Sequence, residues 1–227
     1  FENYSQYSLS TKMASTEDSV ISFLNDLGKY AQVKANDELE DVRKLALKLD
    51  NLEDIQSYDL AYYSEKLKKE QYDIDEEIYR PYFESNNVLN GLFEFLNKLL
   101  YIEFRKVDIE TWNEKTLVYD IYENNIKKSR IYIDLEARKE KRGGAWMNNW
   151  NTRYMQDGNL NLPTAFIVCN FPPSTNTQPS LLRHTDVVTL FHEMGHALHH
   201  LLSTVNEPFV SGINGVAWDV VEFPSQF

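Results

Sequence analysis

The sequence predicts a mainly α protein with a small β-sheet, an α+β fold. Three observations carry that expectation. Residues 1–101 repeat their apolar side chains at three- and four-residue spacing, the period of amphipathic helices. From Ile102 to Glu136 the pattern changes to alternation, the period of half-buried strands. From Val187 to Leu202 helical spacing returns, and that stretch contains His192-Glu193-Met194-Gly195-His196, an H-E-x-x-H sequence. We expect a single region, 1–227, with a helical part over 1–101 and strands plus the H-E-x-x-H helix over 102–227.

Taken in order, Ser15 and Asp18 have capping-box-like spacing, and Val20, Phe23, Leu24, Leu27 and Tyr30 then make one apolar face. A second helix is expected after Asn36, with Leu39, Val42, Leu45, Ala46 and Leu49 on its stripe. A third, starting near Gln56, carries Leu60, Ala61, Tyr62, Tyr63 and Leu67. Pro81 interrupts the next pattern, because proline removes a helical donor. Ser85 can cap a further helix through Val88, Leu92, Leu96 and Leu100. These stripes read as core. Strands are expected at Ile102 to Val107, Leu117 to Glu123 and Arg130 to Glu136, with Glu123 to Ser129, containing Asn124-Asn125, as a hairpin loop. Lys141 to Trp146 reads as a glycine loop, and Ala165 to Asn170 as a β-prone run that can pair with an extended peptide as an added strand. The H-E-x-x-H helix follows, capped by Thr185 or Asp186. A loop with Pro208, Gly212 and Gly215 leads to a short helical stretch from about Trp218.

Composition narrows the classes of function. Of 227 residues, 42% are hydrophobic and 26% charged, which is ordinary for a globular chain with a sizeable core. Lys plus Arg is 23 against 35 Asp plus Glu, so the net charge of −12 speaks against a nucleic-acid partner. No apolar run approaches membrane-spanning length, and no membrane partner is expected. Cys169 is the one cysteine, so no intramolecular disulfide forms, which fits a reducing compartment. The chain begins with Phe1 rather than Met, and both ends read as cut from something longer.

The H-E-x-x-H stretch carries the chemistry. Residues four apart on an α-helix fall within about 40° of each other, so His192 and His196 project side by side toward one metal ion. Zinc suits neutral imidazole and carboxylate ligands. Glu193 lies roughly 100° around the helix, badly placed as a ligand but within reach of a water held there. The helix is apolar around much of its circumference, so two imidazoles and a carboxylate on it need partners. Hydrogen-bonded core histidines are the bland alternative. A third ligand is needed to complete a catalytic site. A third histidine with spacing H-E-x-x-H-x-x-G-x-x-H fails, because His199 and Leu202 occupy the last two positions. The candidates downstream are Glu207, Asp219 and Glu222. Glu207 precedes Pro208 in a loop and reads equally well as solvent-exposed. On a helix, Asp219 and Glu222 share one side. Glu222 can then ligate while Asp219 accepts a proton from the far nitrogen of a ligand histidine; a helix-start carboxylate is the equal alternative for Asp219.

Phe191 to His200 (FHEMGHALHH), Ser211-Gly212-Ile213 and Asp219 to Phe227 (DVVEFPSQF) resemble the thimet-oligopeptidase family of zinc metallopeptidases, and within it the bacterial oligopeptidase A branch. Tyr62 to Leu67, Arg80 to Phe83, Lys141 to Met147 (KRGGAWM) and Cys169 to Phe171 resemble it too, so the likeness covers nearly the whole chain. It implies a zincin-like catalytic core within a larger, mostly helical peptidase. It implies His192, His196 and Glu222 as ligands of one zinc per chain, and Glu193 as the catalytic carboxylate. Met194 stands where many members have Phe. The family is much longer, with a helical lobe before Phe1 and helices after Phe227 that bring assisting tyrosine and histidine residues. The expectation is a cytoplasmic zinc metalloendopeptidase acting on short peptides, with the 227-residue piece poorly active alone. Two other readings compete. One is a helical peptide-binding or structural module with an inert or absent zinc site, which the intact Glu193 argues against. The other is a non-protease hydrolase using the same site.

Overall fold

A computed structural model describes residues 1–73 and 75–226; Phe227, the last residue of the family-like DVVEFPSQF stretch, lies outside the described residues. The chain is a mixture of helix and sheet, in two compact units, Phe1–Asp75 and Glu76–Phe227.

The first unit is helical. It contains α1 (Tyr4–Leu9), α2 (Glu17–Asp50) and α3 (Leu60–Tyr72). The two helices expected before and after Asn36 are one helix. Asn36 has weak helix propensity, but a single weak residue does not stop a helix without a glycine or proline to support it. Thr16 caps α2 by accepting from the Ser19 amide, in place of Ser15. Left-handed Asn51 ends the helix, a conformation that asparagine tolerates better than most residues. Only the second half of α2 is buried: Val42, Ala46 and Tyr63 of α3 form a small core. Phe23, Leu24, Leu27 and Tyr30, the expected apolar face of the first half, are exposed. Asp59 precedes α3, so that helix starts slightly later than expected.

The second unit holds the sheet. After a 3-10 turn over Arg80–Tyr82 that accommodates Pro81, α4 runs Ser85–Leu100. Its cap is Glu84 and not Ser85: the two carboxylate oxygens accept from the Asn86 and Asn87 amides. Among the described residues the strands are β1 (Ile102–Lys106), β2 (Leu117–Glu123), β3 (Ile126–Glu136), β4 (Trp146–Asn151), β5 (Tyr154–Gln156), β6 (Asn159–Asn161) and β7 (Thr164–Phe171). Asn124 and Asn125 both take positive φ and turn β2 into β3 in two residues, so β3 begins earlier than expected. The expectation missed β4, β5 and β6. The Asn-rich β4 shows no apolar alternation, and β5–β6 is a short hairpin around Asp157-Gly158.

Five strands form one sheet in the order β1-β2-β3-β7-β4. Neighbours are antiparallel except β3 and β7, which run parallel. This order corrects one expectation. Ala165 to Val168 of the run from Ala165 to Asn170 are paired on both sides and Asn170 Nδ2 donates to the Arg142 and Gly144 carbonyls, so the run lies inside the sheet and cannot accept an added strand. Among the described residues the outer strand on that side is β4.

Helix α5 (His184–Leu201) covers one face of this sheet together with α4. Ile131, Ile133 and Leu135 of β3 and Ala165, Ile167, Cys169 and Phe171 of β7 point into the shared core. From the helices come Leu89, Leu92 and Leu96 and Leu190, Met194, Ala197 and Leu201. Each fully buried large aliphatic side chain there stabilises the fold by roughly 1.5–3 kcal/mol. The start of α5 is not capped by Thr185 or Asp186 as expected. Arg183 stands before the helix, and the Asp186 carboxylate accepts from its backbone amide. On the opposite face Asp134 is 1% exposed. It accepts from Trp112 Nε1, from both terminal nitrogens of Arg138 and from Lys141 Nζ.

Candidate metal centre

Helix α5 places its residues according to their spacing. The rings of His192 and His196 stand nearly perpendicular, their centroids 4.8 Å apart. Their Nε2 atoms are 3.3 Å from each other. The third group comes from a different element. After α5 the chain forms a 3-10 turn at Pro208–Val210, then tight turns over residues 211–222, then a 3-10 turn at Phe223–Ser225. The helical stretch expected from Trp218 is therefore shorter and tighter than an α-helix. Pro224 sits in the first turn of the last 3-10 segment, where proline costs no hydrogen bond. Glu222, just before it, brings Oε2 to 3.2 Å from His192 Nε2 and 3.1 Å from His196 Nε2.

Three donor atoms thus lie 3.1–3.3 Å apart in a triangle. A tetrahedral ion with ligand bonds of about 2.0–2.1 Å needs ligand-to-ligand spacings of about 3.3 Å. The triangle fits zinc without rearrangement. Among the described residues these three form the cluster of side chains suited to a metal ion. Glu207 and Asp219 are exposed and are not members of it.

Glu193 is 7% exposed. Burial pushes its carboxyl above the ordinary glutamate range, against the pull of the neighbouring His192 and His196 and of a hydrogen bond from the Met147 backbone; Glu222 adds to the upward push. A buried carboxylate held so is suited to taking and returning a proton. Helix α5 packs on the edge strand β4, which sets that strand beside the helix bearing Glu193. The buried Cys169 thiol is pushed up to about 12 by burial, which leaves it no nucleophilic role.

Three residues at this centre escaped the sequence reading. Ser225 is buried and donates its hydroxyl to the Glu222 carbonyl at 2.8 Å and to the Glu222 carboxylate at 3.3 Å, holding that side chain in place. The signal was the E-x-x-S spacing. Met147 acts through its backbone, and no side-chain pattern announces that. His200 is fully buried, one turn beyond His196. Its Nε2–H donates to the Asn151 carbonyl at 2.9 Å, and its Nδ1 accepts from the Ile213 amide at 3.4 Å. The four-residue ladder His192, His196, His200 was its signal.

Comparison with known proteins bears on the whole chain. The model for peptidase family M3 matches residues 1–227. Oligopeptidase A of Salmonella typhimurium and of Escherichia coli are each 44% identical to it over 230 residues. These alignments cover 100% of this chain and 34% of the relative. A dipeptidyl carboxypeptidase of Escherichia coli is 36% identical, again over 100% of the chain and 33% of the relative. The chain therefore spans about a third of the length of these relatives. With a match of this extent, and motifs that resemble the thimet-oligopeptidase family throughout, the chain belongs to peptidase family M3.

Proposed function

We propose that this chain forms the zincin-like metal-binding core of a zinc metalloendopeptidase that hydrolyses internal bonds of short peptides. The observation that carries the reading is the triangle of His192 Nε2, His196 Nε2 and Glu222 Oε2, whose edges suit one zinc ion. The names of the similar oligopeptidases support the substrate class. When bound, zinc supplies Lewis acidity, lowering the pKa of a coordinated water to about 7 and polarising a carbonyl.

The protein residues do the rest. Glu193, beside the histidines and raised by burial, takes a proton from the attacking water and passes it to the leaving amine. Ser225 keeps Glu222 aimed at the histidines. Asp219 is our candidate acceptor for the far nitrogen of a ligand histidine, which would fix that ring. An extended peptide pairs with the outer edge of β4, since β7 has no free edge. Among the described residues no helix is long and apolar enough to cross a membrane.

The test is made on the whole protein. One zinc per chain, loss of short-peptide cleavage on chelation and its return with zinc are expected. Cleavage that persists without metal rejects the reading. Under matched zinc occupancy the 227-residue chain alone should be much the poorer enzyme. Loss of one preorganised oxyanion donor typically costs about 10²–10³ in turnover.

A further inference from the structure

We propose that His200 is a positioning residue for peptide hydrolysis, which latches the edge strand β4 and the loop leading to Glu222 onto the metal-binding helix. The inference rests on the zinc peptidase reading but concerns a residue outside the metal triangle and outside proton transfer.

The geometry is specific. The Asn151 carbonyl can only accept and the Ile213 amide can only donate. Together they select one neutral tautomer of His200, with the proton on Nε2. One side chain thereby joins α5, the last residue of β4 and the Ser211-Gly212-Ile213 turn. Gly212 shows how closely the turn is seated. It has φ +65°, and a Cβ added there would lie 2.3 Å from His200 Nδ1 and 2.9 Å from its Cα. No other residue type fits against the ring. Two further bonds run alongside. Thr152 Oγ1 donates to the Ser211 carbonyl at 3.4 Å, and Asn149 Nδ2 donates to Asn214 Oδ1 at 3.1 Å.

The latch matters because of what β4 does. It packs against the helix that bears Glu193, and its outer edge is where an extended substrate pairs. A fully buried imidazole bonded at both nitrogens fixes the distance between that edge and the helix bearing His192, Glu193 and His196. Substrate residues that pair along β4 depend on this distance, and a substrate too short to pair does not.

The experiment uses the whole protein with zinc bound. His200→Phe keeps the ring volume and removes both hydrogen bonds. With zinc in excess its content should stay at one per chain, while a chelator should strip the metal faster because the loop leading to Glu222 is no longer latched. KM for a peptide long enough to pair along β4 should rise about tenfold, the effect of losing one or two buried hydrogen bonds. For a blocked dipeptide the change should stay within about twofold, since no strand forms. His200→Gln, which can donate from Nε2 and accept at Oε1, should recover most of the loss. Gly212→Ala should reproduce the His200→Phe defect by displacing the ring. Equal losses on long and short substrates, or no change in KM, would overturn the proposal. Hydrogen exchange reads the latch without any cleavage. In either variant the amides of Trp146–Asn151 should exchange faster while those of α5 stay protected, and unchanged exchange in β4 overturns the latch. A wild-type protein that binds zinc yet cleaves no peptide would instead sink the peptidase reading, with the exchange result still deciding whether the latch exists.

Discussion

Glu193 and His196 lie on the same helix, yet substitutions at the two should fail differently. Glu193→Gln preserves shape and removes the base. Zinc should remain at one per chain while turnover falls by about 10²–10⁴, the usual contribution of general acid–base catalysis. Near-native turnover with zinc bound rejects Glu193 as the base. His196→Ala removes a donor atom of the triangle, so metal content itself should fall in dialysis against a weak chelator. Equal zinc in mutant and wild type would count against the ligand assignment. At this scale the sequence was legible where chemistry repeats at a helical interval. Neighbouring rungs of a helix must share a face, so His192 and His196 stood out. Glu222 stood out as a downstream carboxylate and through the family-like stretch around it. Its backbone conformation was not legible. An α-helix was expected where the chain makes tight turns, because Asp219-Val220-Val221-Glu222 gives no sign that Pro224 will take part in a 3-10 turn. His200 and Met147 were hidden because each is defined by backbone groups of remote segments.

The elements that carry these residues are tied together by buried charge. Burial alone would push the Asp134 carboxyl up, but hydrogen bonds from Arg138, Trp112 and Lys141 outweigh it and hold the group below the ordinary aspartate range. The Lys141 side chain, 3% exposed, also donates to the Asp134 and Glu136 carbonyls, so it anchors the glycine loop that leads into β4. Removing one partner from such a network leaves an uncompensated buried cation. Asp134→Asn should therefore destabilise the protein by about 3–5 kcal/mol in denaturant titrations. The sign with pH follows from the lowered carboxyls of Asp134, Asp120 and Glu136. In the unfolded chain they bind protons more readily, so their stabilisation is full above about pH 4–5 and is lost as pH falls through the folded values. The melting temperature should drop on acidification below that range, less steeply in Asp134→Asn. An equally steep drop would remove Asp134 from the account. Helices α4 and α5, strand β2 and the Asn124-Asn125 turn were legible because period and turn chemistry are local. The continuity of α2 and the existence of β4 were not. Nothing stops a helix at Asn36, and an Asn-rich edge strand is recruited by its neighbour β7 rather than by its own pattern.

Across the whole molecule, local and distant pairings divide the sheet. Strands β1, β2 and β3 meander, each pairing with the next in sequence, while β3 and β7 come together only across the intervening β4 and the β5–β6 hairpin, with Arg130 paired to Thr164. The parallel pair is therefore the costly step of loop closure, and contacts distant in sequence slow folding. Helix α5 packs on β7, β4 and β3 and has no complete bed before that step. On the proposed reading, the ability to hold a metal is thus a late arrival in the history of each molecule, and zinc ions present from the first moment of refolding would find no complete triangle to bind. Pulsed hydrogen exchange during refolding should show β1–β3 amides protected before those of β7 and α5, with early phases indifferent to zinc. Simultaneous protection of all of them would mean that the sheet and its catalytic helix condense in a single event.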